Sequence, residues 1–287
     1  MNDTAAPAKN PLELWDGPTG QAWVDNQELL NHLLQPFEDL LVDTPAATGA
    51  AQVLDIGCGT GSVARAITQR LGPDGRCIGV DISRPMTAAA AAKTTDPRLS
   101  FVCADAQTYP FAAAGIDLFV SRFGVMFFAD PQAAFANLQR AARDGASLRC
   151  VAWRSAAENP FMTTAERTAA PLLTNLPPRR PDEPGQFAFG DAAYVRGILE
   201  HSGWQAVDIQ PVDLVCRMPE AALITYFSQL GPVGLALRSA DEATRASVIA
   251  AVRAAFDRFV VDGEVRFTAA CWLIGARAGA ATGDRRG

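Results

Sequence analysis

A chain of 287 residues, 49% of them apolar and 20% charged, has ordinary globular composition and enough apolar side chain to bury a core, which excludes disorder as its default state. Its formal net charge of −6 argues against nucleic acid as a partner, because phosphate recognition needs clustered cations. The six cysteines (Cys58, Cys77, Cys103, Cys150, Cys216 and Cys271) lie too far apart to form a zinc-ligand pair and read as buried, reduced thiols, so no metal is expected.

Residues 1–10 read as a loose, polar leader without the apolar stretch of a signal peptide, and no run reaches the length of a membrane span; the expected location is cytoplasmic. From Leu12 to Val42 the spacing is helical, with Trp15 and Trp23 early and Leu29, Leu30, Leu33, Leu34, Phe37 and Leu40 later. Asp43–Ala50 reads as a linker. Strands and helices then alternate: strand Gln52–Asp55, helix Thr60–Leu71, strand Arg76–Asp81, helix Ser83–Lys93, strands Leu99–Ala104 and Ile116–Ser121, helix Pro131–Ala142 and strand Ala146–Trp153. Such alternation predicts an α/β fold with a mostly parallel sheet covered on both faces.

The second half is less regular. Six prolines between 154 and 190 forbid one long helix there. Ala192–His201 reads as a helix stopped by Gly203, Ala206–Cys216 as a strand, Glu220–Val260 as helical spacing interrupted at Gly231–Pro232, and Val265–Ala276 as the last strand. The chain accordingly divides into an N-terminal helical cap and linker (1–50), a ligand-binding core (51–153), a cap insertion (154–190), a core helix and strand (191–218), a helical cap insertion (219–262), a final core strand (263–277) and a flexible tail (278–287).

Val53-Leu54-Asp55-Ile56-Gly57-Cys58-Gly59-Thr60-Gly61 is a buried strand ending in a glycine-rich turn that opens a helix, where backbone can approach a ligand without a Cβ in the way. Serine at 62 breaks the G-x-G-x-x-G dinucleotide fingerprint at its last position. Cys77-Ile78-Gly79-Val80-Asp81 places a carboxylate at the next strand end, where it can accept both hydroxyls of a ribose. Phe101-Val102-Cys103-Ala104-Asp105-Ala106 ends a third strand in an acid placed to accept from an adenine amino group. Asp117 to Gly124 brings Ser121, Arg122 and Phe123 to the end of a fourth. All four lie at carboxyl ends of strands, where open α/β sheets bind ligands.

Together these residues resemble the class I S-adenosylmethionine (SAM)-dependent methyltransferases, over roughly residues 52–153 and more weakly beyond. The run Ser121–Asp130 (Ser-Arg-Phe-Gly-Val-Met-Phe-Phe-Ala-Asp) is similar to the branch that contains ubiquinone and menaquinone C-methyltransferases and related small-molecule enzymes. The resemblance implies a Rossmann-like, doubly wound, mostly parallel seven-stranded sheet with a helical cap, and S-adenosyl-L-methionine as cofactor. It implies that Asp55, Gly57, Gly59 and Gly61 hold the methionine portion, with Cys58 and Thr60 in the same turn. By the same resemblance Asp81 binds the ribose, Ile82 and Met86 pack near the adenine, Asp105 takes its amino group and Ala106 a ring nitrogen. Ser121 would touch the cofactor, and Trp15 and Trp23 would belong to a lid over it.

Bland readings stand beside these. Asp81 could simply cap a helix, Ser121 could satisfy a local backbone group, and the two tryptophans could be ordinary helix packing. Arg122 could orient an acidic or carbonyl-bearing acceptor or form an internal ion pair; Phe123 reads as pocket wall. His32, on the cap, is the histidine that could act as a catalytic base, whereas His201 at a helix end reads as structural. Glu158-Asn159-Pro160-Phe161 is faintly similar to the Asn-Pro-Pro-aromatic motif of DNA amino-methylating enzymes but follows the wrong strand, so it points to no nucleic acid. Arg154, Glu158 and Asn159 are instead candidate acceptor contacts, with Phe187, Phe227 and Leu230 as apolar wall.

The expected activity is transfer of a methyl group from SAM to a hydrophobic or aromatic small molecule, at carbon or oxygen before nitrogen. Because SAM carries its own leaving group, alignment and exclusion of water can supply roughly 7–11 kcal/mol, and a general base is optional. The alternatives are a non-catalytic SAM-binding protein and a nicotinamide oxidoreductase, the latter set back by Ser62. A metal-dependent O-methyltransferase is disfavoured because no carboxylate cluster follows the fourth strand. A homodimer is an open assembly state.

Overall fold

The structure, a computed structural model, describes residues 11–176, 179–180 and 183–279. The leader expected over 1–10 and most of the tail expected beyond 278 lie outside the described residues. The chain opens with α1 (Pro11–Trp15), α2 (Pro18–Asp25), α3 (Gln27–Leu33), α4 (Gln35–Val42) and α5 (Thr44–Thr48). Pro18, Pro36 and Pro45 each sit in the first turn of a helix, where a missing N–H costs nothing. The continuous helical spacing of 12–42 therefore folds as a bent series. Asp43–Ala50, expected as a linker, contains α5 and stops at Gly49 with φ +69°.

The core follows as β1 (Gln52–Ile56), α6 (Ser62–Arg70), β2 (Arg76–Asp81), α7 (Arg84–Ala92), β3 (Leu99–Cys103), β4 (Ile116–Arg122), α8 (Pro131–Ala141) and β5 (Ala142–Trp153). Asp130 starts α8 as an N-cap, its carboxylate accepting from the Ala133 N–H at 2.9 Å with Pro131 in the first turn. After these come α9 (Pro160–Ala169), α10 (Ala192–His201), β6 (Trp204–Pro219), α11 (Leu223–Gln229), α12 (Gly231–Leu237), α13 (Glu242–Ala255), the two-residue β7 (Val260–Val261) and β8 (Glu264–Ala278). The sheet runs β3-β2-β1-β4-β5-β8-β6. Strands β1 to β5 are mutually parallel, and β8 is antiparallel to both its neighbours.

This is the expected Rossmann-like, doubly wound sheet with seven strands in series; β7 adds a short eighth beside β8. Strand order reverses between β1 and β4, the kind of switch point outside whose carboxyl ends open α/β sheets bind ligands. The centre is apolar throughout: Leu54, Leu118, Phe119, Val120 and Val151 are wholly buried.

Strands β6 and β8 outrun the rest of the sheet. β5 pairs with β8 only from Cys271 to Arg277, while β6 and β8 stay paired down to Pro219 and Glu264. A two-stranded ribbon thus projects past the carboxyl end of β5 and carries the cap. One face of it is buried (Cys216, Met218, Val265, Phe267) and alternates with exposed Arg217, Arg266 and Thr268. Phe161 of α9 stacks on Phe267 with centroids 3.7 Å apart, and Phe256 at the end of α13 packs edge-on against Phe161.

Candidate cofactor and acceptor site

The glycine turn is shaped first by the protein's own backbone. A Cβ on Gly57 would stand 2.6 Å from Gly124 Cα, so β1 and β4 end against each other through two glycines. Gly59 differs: the nearest atom to its Cβ position is Met86 Sδ at 3.7 Å, which leaves its outer side open to a ligand and brings Met86 to the turn. Cys58 and Thr60 are buried within it.

Asp81 holds this turn in place. One carboxylate oxygen accepts from the Gly59 N–H and the other from the Ser83 N–H, both at 2.8 Å. Each oxygen keeps a lone pair for a ribose hydroxyl, so the turn-holding and ribose-binding readings are compatible. Burial pushes the carboxyl above its usual range, and the backbone N–H bonds oppose that. Asp55 is 1% exposed, and its Oδ2 has no hydrogen-bond partner. Burial raises its pKa from 3.8 to about 7; Arg122 opposes the rise, and Asp81 and Glu38 add to it. A buried carboxylate oxygen without a donor is costly, and the ammonium of an amino-acid ligand would supply the donor. The residues present therefore fit a ligand with a ribose at one end and an amino acid at the other.

Asp105 accepts from the Gln107 N–H at 2.9 Å in the turn after β3, and Ala106 beside it is buried, its carbonyl accepting from Asn137 at 2.8 Å. Ile82 lies next to this turn, its carbonyl facing Cys103 Sγ at 3.7 Å. The N-terminal helices close from above. Trp15 meets Trp23 edge-on at 5.6 Å and Phe127 at 5.0 Å. Asp16 accepts from the Arg84 N–H at 2.8 Å, which pins the N-terminal helices to the start of α7.

Other expected contacts are occupied by the protein itself. Ser121 is fully buried; its hydroxyl donates to the Ile56 carbonyl at 2.7 Å and accepts from the Gly124 N–H at 3.1 Å, which fixes the end of β1 to that of β4. Arg122, expected at the acceptor, pairs with Glu38 and donates to Ser62 Oγ at 2.9 Å. Phe123, expected as pocket wall, is core: it stacks on Trp153 at 4.7 Å and meets Phe37 edge-on at 4.9 Å. Phe227 is 2% exposed and stacks on Phe256 within the cap. Arg179 covers the ring of Phe187 at 4.8 Å. Leu230 packs with Ala22, Leu30, Trp23 and Tyr226 where α2 and α3 meet α11. His32 is exposed on α3, whose buried residues are Leu30 and Leu33, and a base must reach the proton it removes.

Asn159 acts as a piece of strand. It donates to the Ala270 carbonyl and accepts from the Ala270 N–H, both at 2.9 Å, completing the edge of β8 where β5 has ended. Asn159→Ala leaves the buried Ala270 N–H unpaired, while the Ala270 carbonyl keeps the Arg154 N–H at 3.0 Å, so a loss of roughly 1–3 kcal/mol is expected. Urea denaturation checks it; a change under 1 kcal/mol would mean that water replaces the side chain there.

Arg154 pairs with Glu158 at 2.8 Å and Asp213 at 2.9 Å. With Phe161, Phe259 and Phe267 these residues line a cavity of about 360 Å³ beside the ribbon. Asp213, Phe259 and Phe267 were not anticipated, since only the ribbon brings them there. Glu38 had one signal: it lies in the apolar stripe Leu34–Glu38–Leu41 of its helix, where a charge implies a buried partner.

Comparison with known proteins bears on the domain and the fold. Residues 53–145 match the model of a methyltransferase domain. A demethylmenaquinone methyltransferase from Roseiflexus sp. (strain RS-1) is 38% identical over 106 residues, 37% of this chain and 44% of that protein. The chain thus spans less than half the length of that relative. Among solved structures, the [4+2]-cyclase SpnF superposes with TM-score 0.57 at 18% identity, over 96% of this chain and 100% of that one. Phosphoethanolamine N-methyltransferase 2 from Haemonchus contortus, in complex with S-adenosyl-L-methionine, superposes with TM-score 0.57 at 15% identity, over 95% and 60%. Residues 53–145 are a methyltransferase domain, carried on the fold of the class I SAM-dependent methyltransferases.

Proposed function

We propose that this chain transfers a methyl group from SAM to a hydrophobic or aromatic small molecule, at carbon or oxygen. The observation that carries the reading is the pairing of Asp81, with an acceptor lone pair left on each oxygen, and Asp55, with an unpartnered buried oxygen, across one glycine turn. Asp81 would hold the ribose, Asp55 the ammonium of the methionine portion, and Met86 and Ala106 would pack along the adenine. The sulfonium, when bound, supplies an activated methyl group. The protein's part is to fix the two ends of the cofactor, close Trp15, Trp23 and Phe127 over it, and keep water out.

An apolar acceptor is supported by the junction of lid and cap, where Leu30 and Leu230 meet Trp23 and Tyr226. The relative named as a demethylmenaquinone methyltransferase supports a carbon acceptor on a ring compound. Calorimetric titration of the full chain with SAM and, separately, NADH tests the donor; tight SAM binding and no NADH binding are expected. Incubation of labelled SAM with a panel of phenols, quinols and enols tests the transfer. NADH binding in place of SAM would sink the reading. SAM binding without transfer to any of them would favour a non-catalytic SAM-binding protein.

A further inference from the structure

A buried ion pair crosses the floor of the site. Glu38, on lid helix α4, lies 3.5 Å from Arg122 at the end of β4, and the two side chains are 11% and 12% exposed. Arg122 also donates to Ser62 Oγ at 2.9 Å and to the Leu34 carbonyl at 3.4 Å. The lid, the strand end and the helix opened by the glycine turn therefore meet at one guanidinium. Asp55 is its second carboxylate neighbour: each stabilises the other's charge. Yet Asp55 Oδ2 accepts no hydrogen bond, although a guanidinium has five donors and pairs readily with carboxylates. The ion pair of Arg122 and its bond to the Leu34 carbonyl go to the lid side instead, and its bond to Ser62 goes to α6.

We propose that Glu38 is a positioning residue for the cofactor: by holding Arg122 on the lid side, it keeps the guanidinium off Asp55 Oδ2, which stays open to a ligand ammonium. The inference rests on the reading of Asp55 as the contact of the methionine portion. Without Glu38 the remaining carboxylate that acts on Arg122 is Asp55, and a buried guanidinium without its carboxylate is strongly unfavourable. A ligand ammonium would then have to displace an internal ion pair. Since Glu38 belongs to α4, seating the lid helix and opening Asp55 become one event. The charged groups acting on Asp55 are Arg122 from β4, Asp81 from β2 and Glu38 from α4, with the thiols Cys58, Cys77 and Cys150 as further neighbours.

The test is calorimetric titration of the full chain with SAM across the neutral range, for wild type, Glu38→Gln and the double variant Glu38→Gln/Arg122→Gln. Wild-type affinity should rise with pH and level off as Asp55 ionises. Glu38→Gln should bind about tenfold more weakly on the alkaline side and lose that pH dependence, because Arg122 now holds Asp55 ionised. The double variant, with no guanidinium to compete, should return to within about threefold of wild type on the alkaline side. A double variant as weak as Glu38→Gln overturns the inference, since the pair would then only support the fold or touch the ligand directly. So does a Glu38→Gln protein with wild-type affinity and pH profile. Should circular dichroism show Glu38→Gln unfolded, the double variant decides alone by the same threefold and tenfold criteria. Wild type failing to bind SAM would sink the proposed function as well; a silent Glu38→Gln sinks the inference alone.

Discussion

Replacing Asp55 by Asn is expected to stabilise the free protein above neutral pH while weakening SAM binding by roughly tenfold to a hundredfold. The two effects have one cause. Asp55 is buried, and its pKa rises from 3.8 to about 7, with burial as the main cause. The folded chain therefore binds that proton more tightly than the unfolded chain. The associated stability is fully present below the unfolded value of 3.8 and drains away as pH rises to about 7. A rise of that size is on the order of 4 kcal/mol at pH 8. Asn has nearly the same shape and never ionises, so the variant should melt on the order of 5 °C higher at pH 8. The difference should vanish near the unfolded carboxylate range. Thermal melts across that span check this, with SAM titration beside them. Parallel melting curves for the two proteins would show that Asp55 does not titrate in the folded state. In the proposed reading, the ionised form destabilises the free protein and is stabilised again by the ligand's ammonium.

Asp81→Ala should lower SAM affinity by at least about a hundredfold. The side chain is both a ligand contact in the proposed reading and the support of the turn, since it accepts from the Gly59 and Ser83 N–H groups at 2.8 Å each. Ala leaves both donors without their acceptor and releases the turn at Gly59, the glycine whose outer side is open. Asp81→Asn should do little better. Of its two terminal atoms only the oxygen can accept, so one backbone N–H would face an NH₂ group. Calorimetry measures the affinities, and far-ultraviolet circular dichroism checks the fold of both variants. Wild-type affinity in Asp81→Ala would remove the ribose from this carboxylate and with it the cofactor pose.

What was legible in the sequence is what repeats locally. The alternation of strands and helices follows from hydrophobic period alone, and the turn from Gly57, Gly59 and Gly61, whose φ angles of +65°, +54° and +79° side chains rarely tolerate. The acids at the ends of β2 and β3 stand where a strand must end, so Asp81 and Asp105 were readable. Side-chain direction was not. Phe123 looked like pocket wall because it follows β4, but with φ +67° its ring turns under α4 to stack on Trp153.

The farther the partner lies along the chain, the less the sequence determined. Periodicity and glycine placement set the order of elements, the switch point and the glycine turn, because those depend on backbone geometry within a few residues. Tertiary structure alone decided that Arg122 answers Glu38 across 84 positions, that Asn159 completes a strand 111 positions away, and that β6 and β8 extend into a ribbon carrying the cap. In each case a polar group or an apolar face needed a partner once buried. Local sequence states that need, but only the packed fold determines which group meets it.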